Sequence, residues 1–221
     1  MELVEAIESR RSIRGYKPDP IPKQVLSDLL QIAVRAPSAL NMQPWKFIVV
    51  AGEALERLKR ASIEKFESGE APHAETPVES YTGVYRERQV ALAVQLFQAL
   101  GIARGDREKR SEWAKKGIRF FDAPAAIIIS IDNSLTSGLS LIDIGSVSQT
   151  IALIALNYGL GTCIEDAGVL YPEAVREVTG IPESQKIIIS LSIGYHDWDF
   201  PTNKVESARE PAENCTTWCE T

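Results

Sequence analysis

The sequence predicts an α+β protein built around one sheet, and three observations carry that reading. Short β-branched or aromatic runs at Trp45 to Val50, Ala123 to Ile131 and Lys186 to Ile193 have strand character. Segments with apolar residues three and four positions apart stand between them, as amphipathic helices require. One such segment, Leu141 to Tyr158, is apolar on most faces, which marks it as a central core helix. The 221 residues exceed one domain of about 150 residues without reaching two, so one domain with an excursion is expected.

Taken in order, Glu2 to Ser9 opens as a short helix with Leu3, Val4, Ala6 and Ile7 on its apolar face. Gly15 and Pro18 stop it, and Pro20 and Pro22 keep the connection extended. Lys23 to Arg35 repeats the helical spacing through Val25, Leu26, Leu29, Leu30 and Ala33. A turn-rich stretch from Pro37 to Pro44 feeds the first strand, with Trp45 directed to the core. Gly52 begins a helix that runs to about Phe66, and Ser68, Gly69, Pro72, Pro77 and Gly83 make residues 68–83 an exposed loop. Charged helical patterns follow over about Val84 to Ala103 and Asp106 to Gly117, so residues 68–120 read as a helical excursion from the core. After the core helix come Gly159-Leu-Gly161 and a loop, then a helix from Tyr171 to Thr179 with Pro172 in its first turn. The tail from Trp198 to Thr221 is polar and proline-containing, with little core pattern of its own.

Thirty Asp and Glu residues against 24 Lys and Arg give a net charge of −6, which argues against a nucleic-acid partner. Binding a nucleic-acid backbone rests on net positive charge or a long basic stripe. With 44% hydrophobic residues, disorder is excluded as the main state. The acidic N-terminal segment lacks the pattern of a secretory signal. The longest nearly apolar stretch, Ala123 to Ile131, falls far short of the ~20 residues that span a bilayer, so no membrane role is expected. Cys163, Cys215 and Cys219, an odd number, read as free thiols in a soluble cytoplasmic protein. No metal site is expected, because Cys215 and Cys219 lack a second Cys/His pair and His73 and His196 lie far apart in sequence.

Three segments have the residues for chemistry. Arg10-Arg11-Ser12-Ile13-Arg14 places three guanidiniums and a hydroxyl at a helix end. Guanidinium forks match phosphate oxygens bidentately, although cations at a helix C-terminus are also favourable without any ligand. Pro37-Ser38-Ala39-Leu40-Asn41 reads either as a capped turn or as a surface that offers backbone N–H groups, Ser38 and Asn41 to a polar heterocycle. Gly159-Leu-Gly161-Thr162-Cys163-Ile164-Glu165-Asp166-Ala167-Gly168 lets backbone approach a ligand closely, yet matches no phosphate-loop pattern. Cys163 reads as a buried structural thiol ahead of a nucleophile. No Ser/His/Asp or Cys/His set is present, so in an enzyme the hard chemistry would belong to a cofactor.

In this order the segments resemble the flavin-dependent nitroreductase family over nearly the whole chain. Ser9-Arg10-Arg11-Ser12-Ile13-Arg14 is similar to its opening signature, and Ala36 to Phe47 to its second. Gly159-Leu-Gly-Thr-Cys163 is similar to the third, and Asn203 to Pro211 to the C-terminal one. Tyr85-Arg86-Glu87-Arg88 and Ala99 to Ala103 look like the helical excursion of a nitroaromatic-reducing branch. The resemblance implies a mixed central sheet wrapped by helices, in an intertwined homodimer with FMN at the subunit interface. Carried over residue by residue, Arg10, Arg11 and Ser12 would hold the FMN phosphate and ribityl chain, with Arg209 closing from the tail. Arg14 would lie near the pyrimidine edge. Pro37, Ser38, Ala39 and Asn41 would come from the partner subunit. Ile164, Glu165, Asp166 and Ala167 would pass the isoalloxazine edge, with a backbone N–H directed to N5.

The implied reaction is a ping-pong transfer of hydride from NADH or NADPH through flavin N5 to a small nitroaromatic or quinone-like acceptor. No protein side chain is implied as catalytic. The excursion 68–120 would cover the active site, and the tail 198–221 would embrace the partner. The same fold also suits reduction of enones or halogenated phenols, or a non-catalytic flavin-binding, redox-sensing protein. Two departures stand out: Glu165 and Asp166 bring carboxylates to the flavin edge, and Glu206 stands where related sequences tend to be basic.

Overall fold

The computed structural model describes residues 1–76, 80–135 and 137–220. Among these residues its sheet holds four strands, β1 (Lys46–Ala51), β2 (Ala125–Asp132), β3 (Leu160–Glu165) and β4 (Gln185–Tyr195). They pair antiparallel in the spatial order β1-β2-β4-β3. Among the described residues, the parallel component of the sheet is a single bridge between Ser12 and Thr162, on the outer edge of β3. Among the described residues, eight helices surround the sheet: α1 (Leu3–Ser9), α2 (Lys23–Ala33), α3 (Gly52–Glu67), α4 (Gly83–Ala99), α5 (Arg107–Ile118), α6 (Gly138–Asn157), α7 (Pro172–Thr179) and α8 (Ala212–Cys215).

β2 runs through the centre, and Ile127, Ile128 and Ile129 expose no surface. Successive side chains enter opposite layers. Ile127 and Ile129 join Leu29 of α2 and Val147 and Ile151 of α6, whereas Ile128 joins Leu55 and Leu58 of α3 and Val175 of α7. Both faces are covered, which is why this strand is a continuous apolar run and does not alternate. Each such buried side chain contributes roughly 1.5–3 kcal/mol.

Local signals set several boundaries. The Asp106 carboxylate accepts the Lys109 N–H at the start of α5, and the Ser137 hydroxyl accepts the Leu139 N–H at the start of α6. α7 begins at Pro172 and stops at Gly180, whose φ of 73° lies in the left-handed region.

Three expectations change. Residues 160–165 form an edge strand where the glycines suggest a loop. The longest apolar element is α6 and not the β2 run, and α6 is long and apolar enough to cross a membrane, with a mean hydropathy of 1.7. It packs instead on α2 and β3 and buries Ser140, Asp143 and Ser148 with its apolar face, the placement of a core helix. The tail is not coreless throughout, because Thr202 and Asn203 are buried in a turn at Pro201–Lys204. From Glu206 to Glu220 every residue is exposed. The excursion divides in two: α4 buries only Leu96, whereas α5 packs on the turns at Phe120–Asp122 and Ala167–Val169.

Candidate functional site

Beyond α1 the chain turns along the outer edge of β3, where the Ile13 N–H donates to the Thr162 carbonyl at 2.9 Å. Gly161 permits that approach, since a Cβ there would sit 2.5 Å from Ile13 Cγ1. Asn203 locks the same segment from the tail. Its Oδ1 accepts the Arg14 N–H at 2.8 Å, and its Nδ2 donates to the carbonyls of Gly15 and Asp197 at 2.7 Å. Only a side-chain amide both gives and accepts in this way, so the fully buried Asn203 is a fitted part.

This anchorage aims Arg10, Arg11, Ser12 and Arg14 into one cavity of about 390 Å³, closed by Val205, Glu206, Ser207 and Arg209 of the tail and by Leu92 of α4. Burial, and then the nearby Arg209 guanidinium, hold Arg10 below the ordinary arginine value. Arg209 is turned onto its own backbone, donating to the Ser207 carbonyl and hydroxyl and to the Ala208 carbonyl. Arg11 pairs with Glu206 at 2.9 Å and stands over the Trp198 ring at 5.6 Å. Arg14 donates to the Ser12 carbonyl at 3.3 Å and faces the Phe121 ring at 5.8 Å. Two like-charged guanidiniums held in one partly desolvated cavity are relieved by a multivalent anion. A phosphate monoester dianion fits that donor set.

Past the bridge, β3 carries Cys163, whose thiol burial pushes up to about 12, with Arg14 opposing the shift. It is a free, buried thiol, and the raised value disfavours the thiolate that a nucleophile needs. The Glu165 carboxyl turns inward under the strand end. Its Oε2 accepts the Gly168 N–H at 2.8 Å, and its Oε1 accepts from the hydroxyls of Ser190 at 3.0 Å and Ser192 at 3.3 Å. Burial pushes this carboxyl up to about 8 despite those three donors. Of the two carboxylates expected at the edge, one is therefore folded beneath it, while Asp166 is half-buried. Ile164 is exposed, and Ala167 abuts α5 so closely that a Cβ on Gly117 would lie 3.2 Å from its own.

Sequence reasoning missed Ser190 and Ser192 as parts of this region, and reached Asn203 only as the first residue of the C-terminal signature, without its role. The signal for the serines is two hydroxyls at alternate positions of an apolar strand, where a polar partner must be buried with them. Pro37, Ser38, Ala39 and Asn41 do not line the arginine cavity. They sit instead on α6, where the Ala39 N–H donates to the buried Asp143 Oδ1 at 3.0 Å. Ser38 Oγ accepts the Gln43 N–H at 3.0 Å. Leu40, Asn41 and Gln43 have φ of 51°, 59° and 49°, and Leu40 is 97% exposed. Left-handed backbone in three non-glycine residues is strained and persists only where the surroundings impose it.

Comparison with known proteins follows the same lines. A sequence model of the nitroreductase family matches residues 7–195. The chain is 32% identical over 219 residues to the chloronitrobenzene nitroreductase of Comamonas testosteroni, covering 97% of this chain and 95% of that protein. The crystal structure of the FMN and NADPH-dependent nitroreductase NfnB from Sphigopyxis sp. strain HMH matches with a TM-score of 0.95 at 27% identity, over 100% of both chains. The FMN-dependent nitroreductase NfnB from Mycobacterium smegmatis, in complex with NADPH, matches with a TM-score of 0.92 at 28% identity, over 98% of this chain and 97% of that one. By its sequence over residues 7–195 and by its overall course, the chain belongs to the nitroreductase family.

Proposed function

We propose that this chain is an FMN-dependent oxidoreductase that takes reducing equivalents from NADPH or NADH and delivers them to small nitroaromatic or quinone-like acceptors. The observation that carries the reading is that Arg10 and Arg209 line one cavity, with Arg11 and Ser12 beside them. In this reading these four residues hold the cofactor phosphate. Arg14, two residues along, supplies a fixed cation beside the ring system. The backbone of Ile164 to Ala167 lies along the flavin edge, held from below by Glu165 and its hydroxyl partners. Bound FMN supplies the hydride and electron-transfer chemistry, and the protein supplies binding, orientation and charge. No side chain is needed as general acid or base, and donor and acceptor use one slot in turn.

The assembly proposed is a soluble cytoplasmic homodimer. Its support is the placement of Pro37, Ser38, Ala39 and Asn41 outside the cavity of their own chain, on a strained turn that presents them outward. The excursion 68–120 then covers the site, and the exposed tail from residue 198 wraps the second copy. The relatives named as nitroreductases, and the NfnB structure holding NADPH, support the choice of acceptor and donor.

Purified wild-type chain should be yellow and should bleach anaerobically with NADPH or NADH. Arg10→Ala is expected to lower flavin per chain at least several-fold, since it removes a charge-assisted phosphate contact worth about 1.5–3 kcal/mol. Unchanged flavin occupancy in Arg10→Ala would refute the phosphate assignment.

A further inference from the structure

The arginine cavity contains an anion of its own. Glu206 Oε1 lies 2.9 Å from Arg11 Nη2, and Glu206 lines the same cavity as Arg10 and Arg209. The two partners are unequal: the Glu206 side chain is 75% exposed and that of Arg11 only 28%. Arg11 is also held without the carboxylate, by the Trp198 ring at 5.6 Å and by a weak bond from its Nε to the Ser9 carbonyl at 3.5 Å. Glu206 is thus an exposed tail residue reaching onto a guanidinium already fixed in place. Glu8, the other acid on the cavity wall, makes no ion pair with these arginines among the described residues.

We propose that Glu206 is an internal competitor for the cofactor phosphate, occupying Arg11 until an incoming phosphate displaces it. The inference rests on the FMN reading of this cavity. Arg10 and Arg209 repel one another and gain from a dianion, for which Arg209 gives up only the neutral acceptors of Ser207 and Ala208. Arg11 exchanges one anion for another, so its contribution to phosphate binding is reduced by the strength of its pair with Glu206. A phosphate seated on Arg11 also finds the Glu206 carboxylate near it, and like charges at such range oppose binding. Glu206 therefore sets how tightly the chain holds its flavin and how strongly it prefers a phosphorylated flavin over riboflavin. An acid at this position makes the cofactor exchangeable where a neutral or basic residue would hold it fast.

The test is flavin affinity, read from the fluorescence of flavin released on serial dilution of the loaded full-length chain. Loss of an exposed ion pair and of one close repulsion together correspond to about ten-fold. Glu206→Gln is expected to bind FMN about ten-fold more tightly, with riboflavin affinity unchanged. In an Arg11→Ala background the same substitution should gain markedly less, because the competing pair no longer exists. Equal FMN affinity in wild type and Glu206→Gln, or an equal gain for riboflavin, overturns the inference while leaving the FMN reading intact. Failure of both proteins to hold either flavin overturns the FMN reading, and this inference with it.

Discussion

Glu165 occupies a position where burial and hydrogen bonding pull in opposite directions. Three donors converge on its carboxyl, and each alone would favour the ionised form. Burial outweighs them and pushes the carboxyl up to about 8, from an ordinary value of 4.5. Between those values the unfolded chain has released a proton that the folded chain still binds, so stability falls as pH rises through that window. Glutamine keeps the acceptor for Gly168 and removes the titration. Thermal unfolding at about pH 5 and about pH 8 should show wild type losing stability at the higher pH while Glu165→Gln stays level. Parallel curves for the two proteins would show that the carboxyl ionises normally. Because Gly168 lies within the Ala167–Val169 turn that follows Glu165, loss of this support also loosens the backbone proposed to meet the flavin edge.

The elements differ in how much of them a sequence reveals. β2 and α6 are legible because burial on all sides leaves an unbroken apolar record, and α7 because Pro172 and Gly180 mark its ends. β3 is not legible: Gly161 weakens the strand pattern, and its reason is Ile13, some 150 residues earlier in the chain. Arg10, Arg11, Ser12 and Arg14 are found easily because they are neighbours, whereas the Asn203 lock joins groups 189 residues apart. Residues 68–76 present a similar case. Glycine and proline predict an exposed loop, yet the segment is strapped to α7 and its flanks. The Tyr171 hydroxyl donates to the Glu70 carbonyl at 3.1 Å, and the His73 N–H to the Leu170 carbonyl at 3.1 Å. Arg176 pairs with Glu75 at 2.6 Å. Both His73 ring nitrogens face acceptors, the Ala71 carbonyl at 3.0 Å and the Glu173 carboxylate at 2.8 Å, so the ring sits best as an imidazolium. Those two bonds, the backbone one first, raise its pKa. The strap is then tightest below the ordinary histidine value and loosens as pH rises through the raised one. Limited proteolysis within 68–76 should accelerate above neutral pH in wild type relative to His73→Ala, which should be cut fast at every pH. Equal pH profiles for the two proteins would dismiss the strap.

On the scale of the whole molecule, the single chain leaves two things unfinished that the proposed second copy would complete together. One is apolar surface: α1 exposes Leu3, Val4 and Ile7, and α6, against which it packs, exposes Leu139, Leu141 and Ile142. Isolated exposed apolar residues are ordinary, but a face shared by two packed helices marks a site of association. The other is the turn at residues 37–41, strained, outward-facing and braced on the same α6 through Asp143. A shared support makes the two inseparable, since covering α6 with another chain brings that chain beside Ser38 and Asn41. Ile142, 64% exposed near the start of α6, is the point to test. Wild type should sediment at twice the 24.4 kDa chain mass at all working concentrations. Ile142→Asp places a charge in the apolar face, and should sediment as a monomer with its circular dichroism unchanged. Because the turn of one copy is proposed to complete the cavity of the other, the same variant should lose most of its flavin, although no arginine has been touched. A monomeric Ile142→Asp that keeps its full flavin would show that each chain builds the site alone, and residues 37–41 would then need another role.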